Sequence, residues 1–266
     1  MRLSQASRWT MGVITAIVLA FIYVPLLLVL INSFNSDRAF GWPPKGFTFE
    51  WWSRAAQNEG VRAALATSVE VAIVATAVSL VLGTMLALAL QRYSFFGKQT
   101  INMLAILPIA LPGIITGIAL NNFFTTIMGL SLSLWTVIIA HATFCMVTVL
   151  NNTQARLQQM NSRLEEASAD LGAGVFRTFW SVTFPQMRSA LLAGGLLSFA
   201  LSFDEIIVTT FTIGASDQTL PVWILQNLFR PNQAPIVNVV AVFLIVVSII
   251  PIWLAQRLSD NSSLGR

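Results

Sequence analysis

The chain has 266 residues, of which 56% are hydrophobic and only 10% are charged, and its formal net charge is +4. Soluble domains carry roughly 25% charged residues, so this composition excludes an ordinary soluble protein and predicts an integral membrane protein. The basic residues lie in the polar segments between apolar runs, so the positive charge does not indicate nucleic-acid binding.

Six apolar segments are long enough to cross a bilayer, which requires about 20 residues per helix. They run over residues 11–33, 69–90, 101–128, 134–149, 190–213 and 237–254. The first follows Arg2 and Arg8 and has no small-x-small cleavage pattern at its end, which favours an uncleaved membrane anchor over a signal peptide. An even number of spans predicts that both termini lie on one side of the membrane.

Lys and Arg are distributed unequally between the two sides, and cytoplasmic loops carry an excess of them. With both termini in the cytoplasm, ten of the 15 Lys and Arg residues fall on that side and five on the other. This orientation places residues 157–188 in the cytoplasm and residues 35–66 outside. The outer segment contains Trp42-Pro43-Pro44 and Trp51-Trp52. Because Trp favours the membrane interface, we expect this segment to lie across the outer face.

The third span contains two prolines, Pro108 and Pro112, each of which removes a helix hydrogen bond and frees a carbonyl group. Such breaks are tolerated in membranes where protein groups or a cavity satisfy the backbone. Gly113 and Gly117 have the spacing of a small-residue face that allows close contact between helices. A transport site, a hinge and a packing contact all remain open for this segment.

The fourth span carries the single histidine, His141, four residues before the single cysteine, Cys145. This spacing places the two side chains on one helix face. Two residues make a poor metal site, so we predict a packing role for His141, an inert buried thiol for Cys145 and no metal. One cysteine also excludes an internal disulfide.

The longest polar interruption, between the fourth and fifth spans, contains Glu-Ala-Ser-Ala-Asp-Leu-Gly at 166–172 and Val-Thr-Phe-Pro at 182–185. Glu166 falls in the first turn of a predicted helix, where the helix dipole favours anions. Gly172 marks a helix end or a close backbone contact, and Pro185 ends or redirects a second, apolar helical piece. A helix–glycine–helix elbow is shaped to dock a partner. An amphipathic connector on the lipid headgroups is the alternative.

Two adjacent acids, Asp204 and Glu205, lie near the middle of the fifth span. A charged residue at a helix centre costs roughly 2.5–3.5 kcal/mol, so an intramembrane pair indicates a functional site. If the span is one continuous helix, a stripe of polar side chains lies along one of its faces. The stripe consists of Ser198, Ser202, Glu205, Thr209 and Thr212. We expect this stripe to line a water-filled solute path, with Glu205 facing the path and Asp204 bracing it or facing a partner. Alternatively, both acids bond to neighbouring helices and never meet solute.

The interruption at 166–185 resembles the EAA loop of ABC-importer permeases, Glu-Ala-Ala-x-x-x-Gly, nine residues, then Ile-x-Leu-Pro. All spacings hold, and Ser168, Val182 and Phe184 replace the second Ala, the Ile and the Leu. The resemblance implies an all-α membrane fold of six transmembrane helices, whose loop is a cytoplasmic helix that docks into a groove on an ATPase subunit. The implied ATPase-coupling residues are Glu166, Ala167, Ser168, Gly172 and Pro185.

Nearly the whole chain, most clearly residues 107–120, 141–145 and 202–211, is similar to bacterial inner-membrane permeases of the spermidine/putrescine class of ABC importers, particularly the second permease. This resemblance implies one permease domain over residues 1–266 that is not an enzyme. The implied partners are a second permease, an ATPase dimer and an extracytoplasmic solute-binding protein.

The chain itself has no nucleotide-binding signature, so we expect it to bind no cofactor, with ATP and Mg²⁺ on the ATPase. The expected solute-path residues are Asp204, Glu205, Ser202 and Thr209. Carboxylates suit a polyamine cation, but importers of an amino acid or 4-aminobutyrate remain an alternative. A proton-coupled secondary transporter using the two acids is an alternative of another class, although such a protein has no reason to carry the EAA loop.

Overall fold

The computed structural model describes residues 4–38, 42–161, 163–230 and 233–263, so Arg2 and Arg266, two contributors to the charge asymmetry, lie outside it. Within these residues the chain is helical, which confirms the predicted all-α class. In chain order the α-helices are α1 (Gln5–Asn32), α2 (Glu50–Gln57), α3 (Glu59–Arg92), α4 (Lys98–Ala110), α5 (Gly113–Asn122), α6 (Leu134–Gln159), α7 (Arg163–Asp170), α8 (Val175–Thr178), α9 (Phe184–Phe203), α10 (Ile207–Thr212), α11 (Leu220–Asn227) and α12 (Ala234–Ser263). Two π-helical turns, Phe123–Ile127 and Phe179–Thr183, follow α5 and α8.

The chain divides into two compact units. One contains residues up to 62 and residues 224–245, and the other contains residues 63–223 and those from 246 onward. In the first unit, the predicted outer segment is held by an isolated β-bridge between Asn35 and Phe47 and by Trp51 Nε1, which donates to the Asn35 carbonyl at 2.8 Å. Asp37 lies 2.7 Å from Lys45 Nζ, and this hydrogen bond and charge raise the pKa of Lys45.

In the second unit, α3, α6 and α9 approach one another closely through small residues. A Cβ at Gly83 would lie 2.8 Å from the Met146 carbonyl of α6, and one at Gly195 would lie 3.2 Å from Leu80 of α3. One apolar cluster of this unit consists of Ala87, Leu90, Ala105, Leu150, Leu157 and Met187. These contacts make α6 and α9 the packed centre around which the functional elements are arranged.

Four of the described helices are long and apolar enough to cross a membrane: Ser7–Asn32, Glu59–Arg92, Leu134–Gln159 and Ala234–Arg257. A fifth crossing is possible if the bent pair Lys98–Ala110 and Gly113–Ile127 counts as one span. The two pieces meet at 107°, with Pro112 at the N-terminal cap of α5, so the predicted interruption of the third span is confirmed.

The predicted fifth span is broken as well. α9 ends at Phe203 and α10 begins at Ile207. Neither is among the described helices that are long and apolar enough to cross a membrane. The expectation of one continuous helix over residues 190–213 is therefore wrong. The break falls at Asp204 and Glu205, the two residues that are most costly to bury in a membrane helix.

Candidate functional site

The elbow at residues 163–185 begins with α7, and Gly172 lies directly after the end of this helix, as predicted. Gly172 has φ of 78°, a conformation that glycine adopts without the steric cost of a side chain. The Gly172 N–H donates to the Ala169 carbonyl at 2.8 Å and the Ala173 N–H to the Ser168 carbonyl at 3.1 Å. These two bonds form a Schellman cap, which satisfies carbonyls at the end of a helix.

A side-chain contact closes the elbow, because Ser168 Oγ lies 3.0 Å from Thr178 Oγ1 of α8. The serine that replaces the usual alanine thus joins the two short helices. Pro185 does not end the apolar piece, since it lies in the first turn of α9, directly after the π-helical turn. At the start of a helix the missing N–H of a proline costs little. The π-helical turn also displaces the carbonyl groups of the preceding turn, with which the proline ring would otherwise clash.

The elbow exposes a large apolar surface in this chain. The exposed fractions of Leu171, Val175, Phe176 and Trp180 are 89%, 76%, 78% and 51%. Glu166 is also exposed. Exposed apolar side chains of this size mark a protein or membrane interaction site, which agrees with docking to a partner and with the headgroup alternative.

The second candidate site is the break between α9 and α10. The Asp204 N–H makes the last bond of α9, to the Ala200 carbonyl at 3.1 Å. Glu205 Oε1 then accepts the Val208 N–H at 2.8 Å, and Thr209 Oγ1 donates to the Glu205 carbonyl at 2.9 Å. The chain therefore satisfies the interrupted backbone with its own side chains, as a break at membrane depth requires.

His141 of α6 bridges this break. Its Nδ1 lies 2.7 Å from Ser202 Oγ, before the break, and its Nε2 lies 2.8 Å from Thr209 Oγ1, after it. The single Thr209 hydroxyl proton is donated to the Glu205 carbonyl, so Nε2–H is the donor to Thr209, and in a neutral ring Nδ1 then accepts from Ser202. The neutral ring thus joins both halves of the fifth span. The packing role predicted for His141 is confirmed.

Three members of the polar stripe expected on the fifth span, Ser198, Ser202 and Thr209, form hydrogen bonds to α6. Ser198, Ser202, Thr209 and Thr212 are all buried. Ser198 Oγ donates to the Cys145 carbonyl at 3.1 Å, and Ser202 and Thr209 bond to His141. Within this chain, Ser202 and Thr209 therefore face His141 of α6 from the two sides of the break.

Both acids instead line one cavity of about 280 Å³, shared with Ser248 and Ile252 of α12. Asp204 is exposed and Glu205 is half-buried, and which of the two carboxylates faces the solute path stays a prediction. The Ser248 hydroxyl makes no hydrogen bond to any residue that the structure describes. Ser248 could not be predicted from the sequence, because one serine in an apolar span forms no pattern.

Close contact between α5 and α10 holds the second half of the break. A Cβ at Gly113 would lie 3.4 Å from Ile207, and one at Gly117 would lie 2.8 Å from the Phe211 ring. Asn121 Nδ2 donates to the Phe211 carbonyl at 2.6 Å. The small-residue face predicted for the two glycines is confirmed, and its partner is the broken fifth span.

Comparisons with known proteins identify the family. The family of binding-protein-dependent transport system inner membrane components matches residues 79–262. The chain is 34% identical over 247 residues to the spermidine/putrescine transport system permease protein PotC of Haemophilus influenzae, covering 93% of this chain and 95% of that protein. It is 29% identical over 249 residues to the putrescine transport system permease protein PotI of Escherichia coli K12, covering 90% and 86%.

Solved structures share the fold. A bacterial ABC transporter involved in the import of alginate superposes with a TM-score of 0.70 at 17% identity, covering 97% of this chain and 99% of that chain. The MetNI methionine ABC transporter gives a TM-score of 0.61 at 17% identity, covering 81% and 99%. Family and fold together decide against a secondary transporter. The chain belongs to the binding-protein-dependent transport system inner membrane components, and it is a multi-pass translocation subunit of an ABC importer, not an enzyme.

Proposed function

We propose that this chain, with a second homologous permease, forms the pore through which an ABC importer takes up polyamines of the spermidine/putrescine type. Relatives named for spermidine/putrescine and putrescine transport match nearly the whole chain. The observation that carries the solute assignment is the cavity in which Asp204 and Glu205 lie together.

The chemistry of this cavity suits an amine. A polyamine cation loses water when it leaves solution, and carboxylates can replace that hydration. Asp204 is the more exposed acid, whereas one oxygen of Glu205 is engaged by the Val208 N–H. Asp204 is therefore the primary contact of the ammonium group, and Glu205 supplies a second charge. The free Ser248 hydroxyl can accept a further N–H from the amine.

Coupling to ATP hydrolysis is assigned to the elbow. Glu166 and Ala167 are exposed and contact the ATPase together with the exposed apolar side chains. Gly172 and Ser168 hold the angle between the two short helices, and Pro185 begins the helix that leads to the acids. ATP and Mg²⁺ are bound by an ATPase dimer, and an extracytoplasmic binding protein delivers the solute.

The orientation follows from the distribution of basic residues, with both termini and residues 157–188 in the cytoplasm of a bacterial cell. Residues 35–66 then lie outside, where the binding protein approaches. An elbow in the cytoplasm is a requirement of the coupling role, since ATP hydrolysis takes place there.

The test is uptake by the full complex reconstituted in proteoliposomes. Asp204→Asn keeps the shape of the side chain and removes its charge, and we expect putrescine uptake to fall at least tenfold while the ATPase remains bound. Glu70→Gln, which removes the charge of an exposed acid of α3 outside the cavity, is the matched control. Transport of 4-aminobutyrate but not of putrescine by the wild-type complex would reassign the solute.

A further inference from the structure

Three side chains tie the elbow to two long helices. Arg92 is the last residue of α3, and its Nη2 forms an ion pair with Glu165 Oε1 of α7. The same Nη2 donates to Thr183 Oγ1 at 3.0 Å, and Thr183 Oγ1 donates to the same Glu165 oxygen at 2.5 Å. Each of the three groups thus contacts the other two.

This network is partly shielded from water. The exposed fractions of the Arg92 and Glu165 side chains are 28% and 29%, and Thr183 is fully buried. Partly buried charges are screened by salt much less than exposed ones. The Thr183 hydroxyl acts as acceptor from Arg92 and donor to Glu165, which a hydroxyl can do and a methyl group cannot.

The network joins the short helix α7 to the end of α3 and to the start of α9. Glu165 precedes the exposed Glu166 of the elbow, Arg92 ends the 34-residue helix α3, and Thr183 ends the π-helical turn that leads into α9. A displacement of α7 therefore acts on α3 and α9 at the same time.

We propose that Arg92, Glu165 and Thr183 are positioning residues that transmit movement of the elbow to α3 and α9 during transport. The proposal rests on the coupling role assigned to the elbow. The three residues lie beside the docking surface of the elbow and not on it. Their substitution should therefore lower the uptake obtained per ATP hydrolysed and leave binding of the ATPase unchanged.

The experiment measures solute uptake and ATP hydrolysis by the same reconstituted complex and takes their ratio. Thr183→Val keeps the branched shape and removes the hydroxyl, Glu165→Gln removes the charge, and Arg92→Ala removes the guanidinium. Arg188→Ala removes an exposed arginine of α9 and is the matched control. We expect the ATPase to copurify at the wild-type ratio in all variants. Uptake per ATP hydrolysed should fall at least threefold in the network variants and stay unchanged in the control.

A charge exchange gives a second criterion. The double variant Arg92→Glu with Glu165→Arg should recover at least half of the ratio lost in Arg92→Glu alone, which a purely steric role would not produce. An unchanged ratio in Thr183→Val overturns the proposal, and this decision stands even if the arginine variants fail to assemble. A wild-type complex whose ATP hydrolysis is not stimulated by binding protein and solute would instead contradict the proposed function itself.

Discussion

Replacing His141 by alanine tests whether a buried polar contact holds the broken fifth span together. The ring contacts Ser202 at 2.7 Å and Thr209 at 2.8 Å, one on each side of the break. Hydrogen bonds between membrane helices contribute about 0.6 kcal/mol on average and about 1.7 kcal/mol at most. Losing both therefore costs about 1–3 kcal/mol, and the cavity left by a fully buried ring adds to this cost.

The measurement is the free energy of unfolding of the permease in mixed micelles, with double-mutant cycles that pair His141→Ala with Ser202→Ala and with Thr209→Val. We expect a coupling energy of about 0.6–1.7 kcal/mol in each cycle. Thr143→Ala is the control on the same helix, because that hydroxyl donates to the Ala140 carbonyl of its own helix at 2.7 Å. Effects that add within about 0.3–0.5 kcal/mol would refute the bridge.

Three further predictions concern the elbow, the packing of α5 and the topology. Glu166→Lys reverses the charge of an exposed docking residue, and we expect at least a tenfold loss of solute-stimulated ATP hydrolysis with normal membrane insertion; normal stimulation would contradict the docking role. Gly117→Leu places a side chain where a Cβ already lies 2.8 Å from Phe211, so unfolding measurements should show a loss of about 1–3 kcal/mol, whereas Gly12→Leu, with open space around it, should be neutral. On a Cys145→Ala background, Arg163→Cys should resist an impermeant thiol reagent added outside, and labelling from outside would overturn the orientation.

The elbow could be predicted from the sequence because its geometry is local. The Schellman cap at Gly172 uses bonds from residues 172 and 173 to residues 169 and 168, and a glycine between two helical patterns is sufficient to indicate it. The network of Arg92 could not be predicted in this way. Its partners lie 73 and 91 residues away, and no periodicity relates residues that only the tertiary fold brings together.

The break in the fifth span was missed because the stripe analysis assumed a continuous helix. Local signals did favour a break. Glu205 lies three residues before Val208, whose N–H it caps, and residues 206–210 are all β-branched, which lowers helix propensity. The prediction of one continuous helix gave more weight to the general preference for long helices in membranes than to these local signals. The assignment of Ser202 and Thr209 to the solute path stays a prediction; within this chain both hydroxyls bond to His141.

The helix α9 connects the two candidate sites. It runs without interruption from the π-helical turn of the elbow to Phe203, next to Asp204, and its 20 residues span about 30 Å at about 1.5 Å per residue. Gly194 and Gly195 leave little room for sideways movement, since added Cβ atoms would lie 3.4 Å from the Val149 Cα of α6 and 3.2 Å from Leu80 of α3. A helix packed in this way cannot tilt alone, because close-packed interiors transmit strain. We therefore expect movement of the elbow to carry α3, α6 and α9 together, so that the carboxylates move with the end of α9 and not by local rearrangement of the break.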